Sequence, residues 1–258
     1  MELREWAIHI LSGEDLEQKL YTPDILSDNT PGPPIFWKEP ARAFNLRFQK
    51  HTRKNKLPSL QDHKQEEKRA VCLHRFAGHE LLAVEIMAYA LLAFPEAPAS
   101  FRQGLARTLK EEQEHVRLYL ARLKEMKLEI GDLPLYKHFW SYVPYLTTPL
   151  KYISMMSLTF EMANLDFAPI YGASFAKAGD LPSANLMAKI LHDEIHHVSF
   201  GCKWLNSWKE SHESAWDVWV RNLPPRTNAN RAKGSQFFEE NRRKAGIPEE
   251  WIRQLQES

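Results

Sequence analysis

Four long stretches of the chain, at about 62–94, 100–128, 150–178 and 180–209, carry apolar residues in the pattern of long helices. The first opens charged, with Lys64, Glu66, Glu67, Lys68 and Arg69, and turns apolar from Val71. From Leu81 to Phe94 it is apolar on nearly every face, interrupted mainly by Glu85. A helix that is apolar all round has to be buried all round. Pro95 and Pro98 end it, and Ser100 with Gln103 three residues on predicts a capping box for the second helix. The loop between them is short, so the two are predicted to be antiparallel neighbours. The third stretch is again mostly apolar, with Pro169 predicted to bend it. Gly179 ends it and Asp180 is the expected cap of the fourth.

Between the second and third helices, residues 129–149 contain Gly131, Pro134, Pro144 and Pro149. Roughly 20 extended residues reach about 70 Å, more than the length of a helix of about 25 residues, near 40 Å. This segment is therefore long enough to cross a bundle. Two hairpins joined by one long crossover predict an all-α, ferritin-like four-helix bundle over 62–210. Residues 1–61 precede it: a short helix over 3–11 stopped by Ser12-Gly13, Ser12 as a candidate cap for a helix near Glu14, and an extended arm over 21–40 set by Pro23, Pro31, Pro33, Pro34 and Pro40. Phe36 and Trp37 are expected to pin that arm. Residues 211–258 form a helical tail, with a helix near 235–245, a last turn opened by Pro248, and Arg242-Arg243-Lys244 expected at the surface. The three parts are expected to make one structural domain.

The 34 basic and 33 acidic residues leave a net charge of +1, so no global field points to nucleic acid or an anionic membrane. The basic run Lys50–Lys56 reads as a solvated face, since no aromatic residues interleave it. Only 10 glycines and long runs rich in Ala, Leu, Met, Glu and Lys favour helix over sheet. Two cysteines, Cys72 and Cys202, are too few for a secreted disulfide framework. Met1 to Leu11 carries four polar or charged side chains and is not expected to be a signal segment. The apolar runs at 81–94 and 152–178 contain acids and polar groups and are not expected to span a membrane. Cytoplasmic residence is the expectation.

The chemistry sits on the helices. Glu194 and His197, three apart, share a helix face, and so do Glu112 and His115. Each Glu-x-x-His follows a glutamate set in an earlier apolar run: 80 to 112 is 32 residues and 161 to 194 is 33. One carboxylate plus a Glu-x-x-His, twice over, is the ligand pattern of a di-iron or di-manganese carboxylate bundle. The candidate metal ligands are thus Glu80, Glu112, His115, Glu161, Glu194 and His197. Their helix neighbours are apolar, for example Phe76, Ala77, Val84 and Met87 around Glu80, and Ile190, Leu191 and Val198 around Glu194. An unpaired charge on such a stripe costs several kcal/mol, and two divalent cations would cancel four carboxylates. Asp193 and Glu111, each preceding a ligand, are read either as acids that orient a ligating histidine or as surface acids. Glu85 competes with Glu80 for the first position; the matching interval favours Glu80, leaving Glu85 to pair with a buried base or support the ligands. His74, His79, His192 and His196 are read as structural or surface groups. His192 and His196 have the spacing of a zinc peptidase, but the residue after the first histidine is Asp193 where that motif has Glu.

At these positions the chain resembles the ferritin-like superfamily of di-iron carboxylate proteins. Within it the chain is similar to an uncharacterised bacterial family classed as a ferritin-like domain of unknown function. The segments carrying the resemblance are His79–Glu85, Leu91–Pro98, Glu112–His115, Leu158–Pro169 and Asp193–His197. It implies the fold and a site for two iron ions, or manganese in their place, and brings no substrate. The expected function is that of an oxidase or oxygenase using dioxygen on an unknown small molecule, with an electron donor. The alternatives are a non-catalytic, metal-stapled module that binds protein or RNA, and a ferroxidase. Oligomeric state is open, a homodimer included.

Overall fold

A computed structural model describes residues 1–50 and 56–258. Most of the basic run, residues 51–55, lies outside the described residues. The chain divides into two compact units, Met1–Val143 and Pro144–Ser258, a division that falls inside the predicted 62–210 segment. The described residues are all-helical: they contain ten α-helices and no strand, only the isolated bridges Glu2–Ser27 and Phe48–Leu135.

The first unit is built on the hairpin of α3 (Glu66–Ala93) and α4 (Ala99–Glu125). Every residue from Glu80 to Pro95 is buried, as the all-round apolar pattern requires. By length and hydropathy α3 could cross a membrane, but 89% of that window is buried inside the protein. Helix α1 (Leu3–Ser12) covers α3 with Leu3, Trp6, Ala7, Ile10 and Leu11. Ser12 caps nothing: its hydroxyl donates back to the Ile8 carbonyl, while Asp15 caps the short α2 (Leu16–Leu20) by accepting from the Gln18 amide. Asp15 wins because it stands directly before the first helical residue. Ser100 likewise lies inside α4, whose first turn follows Pro98 with no side-chain cap. The proline-rich arm is fixed by polar contacts, not by Phe36, which is 71% exposed. Arg4 donates to the carbonyls of Pro31 and Pro33, Ile35 donates to the Leu92 carbonyl, and Arg102 clamps Asp28 at 2.6 Å.

Three buried charges pair within this unit. Glu85 receives Lys19 at 2.8 Å and Arg42 at 2.6 Å, and both glutamate and lysine are fully buried. The Glu85 ambiguity thus resolves toward a buried acid paired with buried bases. Near the end of α4, His74 Nε2 accepts the Gly131 amide at 3.1 Å. Gly131 has φ +98, and a Cβ there would meet the Asn45 carbonyl oxygen at 2.6 Å, so the turn requires glycine. Burial, reinforced by Arg75, pushes the His74 pKa down from 6.5 to about 4. In the unfolded chain the imidazole protonates near 6.5, so His74 supports the fold fully above pH 6.5. That support is lost as pH falls from 6.5 toward 4. The loss amounts to about 3 kcal/mol. His74→Gln should flatten this part of the acid limb of stability in urea melts at pH 7 and pH 4.5; an unchanged slope would count against a buried neutral imidazole.

The second unit holds α5 (Pro149–Met155), a π-helical turn (Met156–Glu161), α6 (Met162–Lys177) and α7 (Leu181–Trp208). Thr148 and Asp180 cap α5 and α7 by accepting from Lys151 and Ser183 amides. Gly179, at φ +81, ends α6 in the left-handed region. The predicted single helix over 150–178 is interrupted by the π-turn, and Pro169 lies within α6. The tail supplies α8 (Ala215–Arg221), α9 (Glu239–Lys244) and α10 (Glu249–Glu257). Trp219 and Trp251 pack ring against ring at 5.0 Å. Arg242, expected at the surface, is fully buried and forks onto both oxygens of Asp166 at 2.6 and 2.8 Å. The backbone amides of Gly234 and Phe238 donate to the same carboxylate. This charge pair anchors the tail to α6.

Candidate metal centre

In the first unit the α3–α4 hairpin brings Glu80, Glu112 and His115 together. One donor atom from each lies within 4.8 Å of the others, and all three residues are buried. Glu112 and His115 share a face because they are one turn apart, and their Oε2 and Nδ1 atoms are 3.3 Å apart. Glu80 comes from the facing helix. Tyr119, one turn further along α4, is 1% exposed and packs edge-on against Phe76 at 6.2 Å. Glu85 is buried elsewhere, against Lys19 and Arg42, and Glu111 is exposed.

In the second unit α7 repeats the Glu-x-x-His pairing. Glu194 Oε2 and His197 Nδ1 lie 3.5 Å apart, both residues 1% exposed. Asn164 of α6 donates to Glu194 Oε1 at 2.6 Å, which fixes the carboxylate's orientation. Asn164 was not singled out by its sequence position. Asp193 is buried and takes the ammonium of Lys189 one turn back.

Glu161, 4% exposed, is the last residue of the π-turn. A π-turn inserts one residue into the helical repeat and rotates every later side chain about the axis. The turn is held by side chains: the Thr159 hydroxyl donates to the Ser154 carbonyl at 2.7 Å, and Trp219 Nε1 donates to that carbonyl at 3.0 Å. Gly201 of α7 lies against it so closely that a Cβ would meet Ser157 Cβ at 2.6 Å and Leu158 at 3.0 Å. Both facing atoms belong to the π-turn, so Gly201→Ala should lower stability by about 1–3 kcal/mol. A melt of the variant unchanged from that of the parent would mean the turn gives way freely and does not fix Glu161.

The donor chemistry fits a divalent cation. Two ligands about 2.1 Å from one ion, at angles between octahedral and tetrahedral, lie about 3.0–3.4 Å apart. The Glu112–His115 separation falls in that range, and that of Glu194–His197 just above it. Each set joins carboxylate oxygen to imidazole nitrogen, a mixture suited to iron or manganese.

These features define an all-helical protein with buried carboxylate–imidazole sets on two of its long helices. Residues 7–253 match the family described as "Protein of unknown function (DUF455)", and the chain belongs to that family. No curated protein and no solved structure matches the chain.

Proposed function

We propose that this is a di-metal carboxylate protein of the ferritin-like kind, and that it acts as an oxidase or oxygenase using dioxygen. The observation that carries the reading is the clustering of Glu80, Glu112 and His115, brought by two helices into one buried set of donors. Glu194 and His197, paired on α7, would supply the second set together with Glu161, which is buried at the end of the π-turn. In this reading Glu80, Glu112 and His115 hold one ion, and Glu161, Glu194 and His197 the other. Two ferrous ions, or manganese in their place, would supply the electrons that reduce dioxygen.

The protein's own part is to hold and to shield. The two carboxylates of the first set repel each other in a low-dielectric interior, and that repulsion favours a bound cation. Asn164 keeps one oxygen of Glu194 occupied, so the other faces His197. Burial of all six donors keeps bulk water from competing for the cations. A small-molecule substrate and an electron donor complete the scheme.

The test is dioxygen uptake by protein loaded anaerobically with ferrous ion. Uptake well above that of the same ferrous ion in buffer is expected. Protein that binds ferrous ion yet leaves dioxygen untouched would point to the alternative, a metal staple without catalysis.

A further inference from the structure

Helix α7 carries a second group of ligating side chains on its other face. We propose that His192, Asp193 and His196 form a peripheral site for a borderline divalent cation such as Zn2+, separate from the buried donor sets. One ligand atom from each of the three lies within 4.8 Å of the others. Both histidines are exposed, whereas Glu194 and His197 on the same helix are buried. The two imidazoles, one turn apart, stand edge to face with centroids 5.0 Å apart and planes at 86°. Histidines at i and i+4 on one helix face bind zinc in this way, and exposed rings rotate to meet a cation without moving the backbone.

Asp193 adds a carboxylate beside the pair. Lys189 holds one of its oxygens, and that lysine is half exposed, so its ammonium can swing into solvent when a cation arrives. Two imidazoles and one carboxylate favour Zn2+, Ni2+ or Cu2+ over the hard cations Mg2+ and Ca2+. Three protein ligands leave the fourth position to water. The arrangement is not that of a zinc peptidase. The acid after the first histidine is an aspartate tied to Lys189, and it belongs to the donor set itself.

The experiment is a zinc titration of metal-stripped full-length protein beside the double variant His192→Ala, His196→Ala. Both positions are exposed, so the variant is expected to melt as the parent does. The parent should bind one more zinc equivalent than the variant, and the resonances of the His192 and His196 rings should move with that equivalent. Equal stoichiometry in the two proteins would overturn the proposal. If the buried sets failed to bind metal, both proteins would lose the same equivalents and the difference of one would remain, so the two readings fail separately.

Discussion

Glu85→Ala is expected to destabilise the protein by about 3–5 kcal/mol, the cost of stranding buried charges. Lys19 and Arg42 both point at this carboxylate, and Lys19 has no exposed surface. Burial pushes the Lys19 pKa down, and Glu85 opposes that shift by favouring the charged ammonium. Take Glu85 away and two buried cations remain. Among the described residues Arg42 keeps the Leu46 carbonyl and its stacking on Phe48 at 4.2 Å, and Lys19 keeps the Ile10 carbonyl. A loss of this size is a large share of the total stability of a typical domain. The triple change Lys19→Met, Arg42→Leu, Glu85→Leu removes all three charges and should recover most of it, since an apolar replacement of a buried ion cluster is often neutral. Urea denaturation reads both. A triple variant no more stable than Glu85→Ala would show that shape, not charge, sets the cost.

Glu112→Gln is expected to abolish binding at the first set of donors while leaving the metal-free protein at least as stable as the parent. Glutamine keeps the volume and loses the charge. In the metal-free state this relieves the repulsion between Glu80 and Glu112, whose ligand atoms are within 4.8 Å. With metal present the order reverses. A cation at about 100 times its dissociation constant stabilises the parent by about 2.7 kcal/mol, and the variant should gain little from that set. The sign change separates a ligand from a structural acid, because a salt-bridged glutamate would destabilise both states when neutralised. Thermal melts with and without manganous ion decide it. A variant that loses stability equally in both would remove Glu112 from the metal site.

What was legible in the sequence was what local periodicity controls. The apolar run 81–94, broken mainly by Glu85, foretold that this part of α3 would be buried on every side. The intervals 80 to 112 and 161 to 194 selected buried glutamates, three on long helices and Glu161 at the end of the π-turn. What escaped is long-range. Arg42 meets Glu85 across 43 residues and Arg242 meets Asp166 across 76, so neither pairing leaves a trace in the neighbouring residues. Arg242 sits in a basic triplet and looked solvated for that reason. The π-turn was also invisible, because its six residues are ordinary helix formers and its geometry is fixed by Thr159 and by Trp219, some 60 residues away. Asn164 lies within the Leu158–Pro169 segment, but its role shows only in the Glu194 oxygen facing it across 30 residues.

The proposed di-metal centre requires that Glu80, Glu112, His115 and Glu161, Glu194, His197 each hold one ion. The decisive quantity is the metal-to-chain ratio of protein purified without chelator, reloaded anaerobically with ferrous ion and desalted. A ratio near two is expected, falling to one or below in Glu112→Gln. A ratio near zero, or a ratio that Glu112→Gln leaves unchanged, would contradict the proposal.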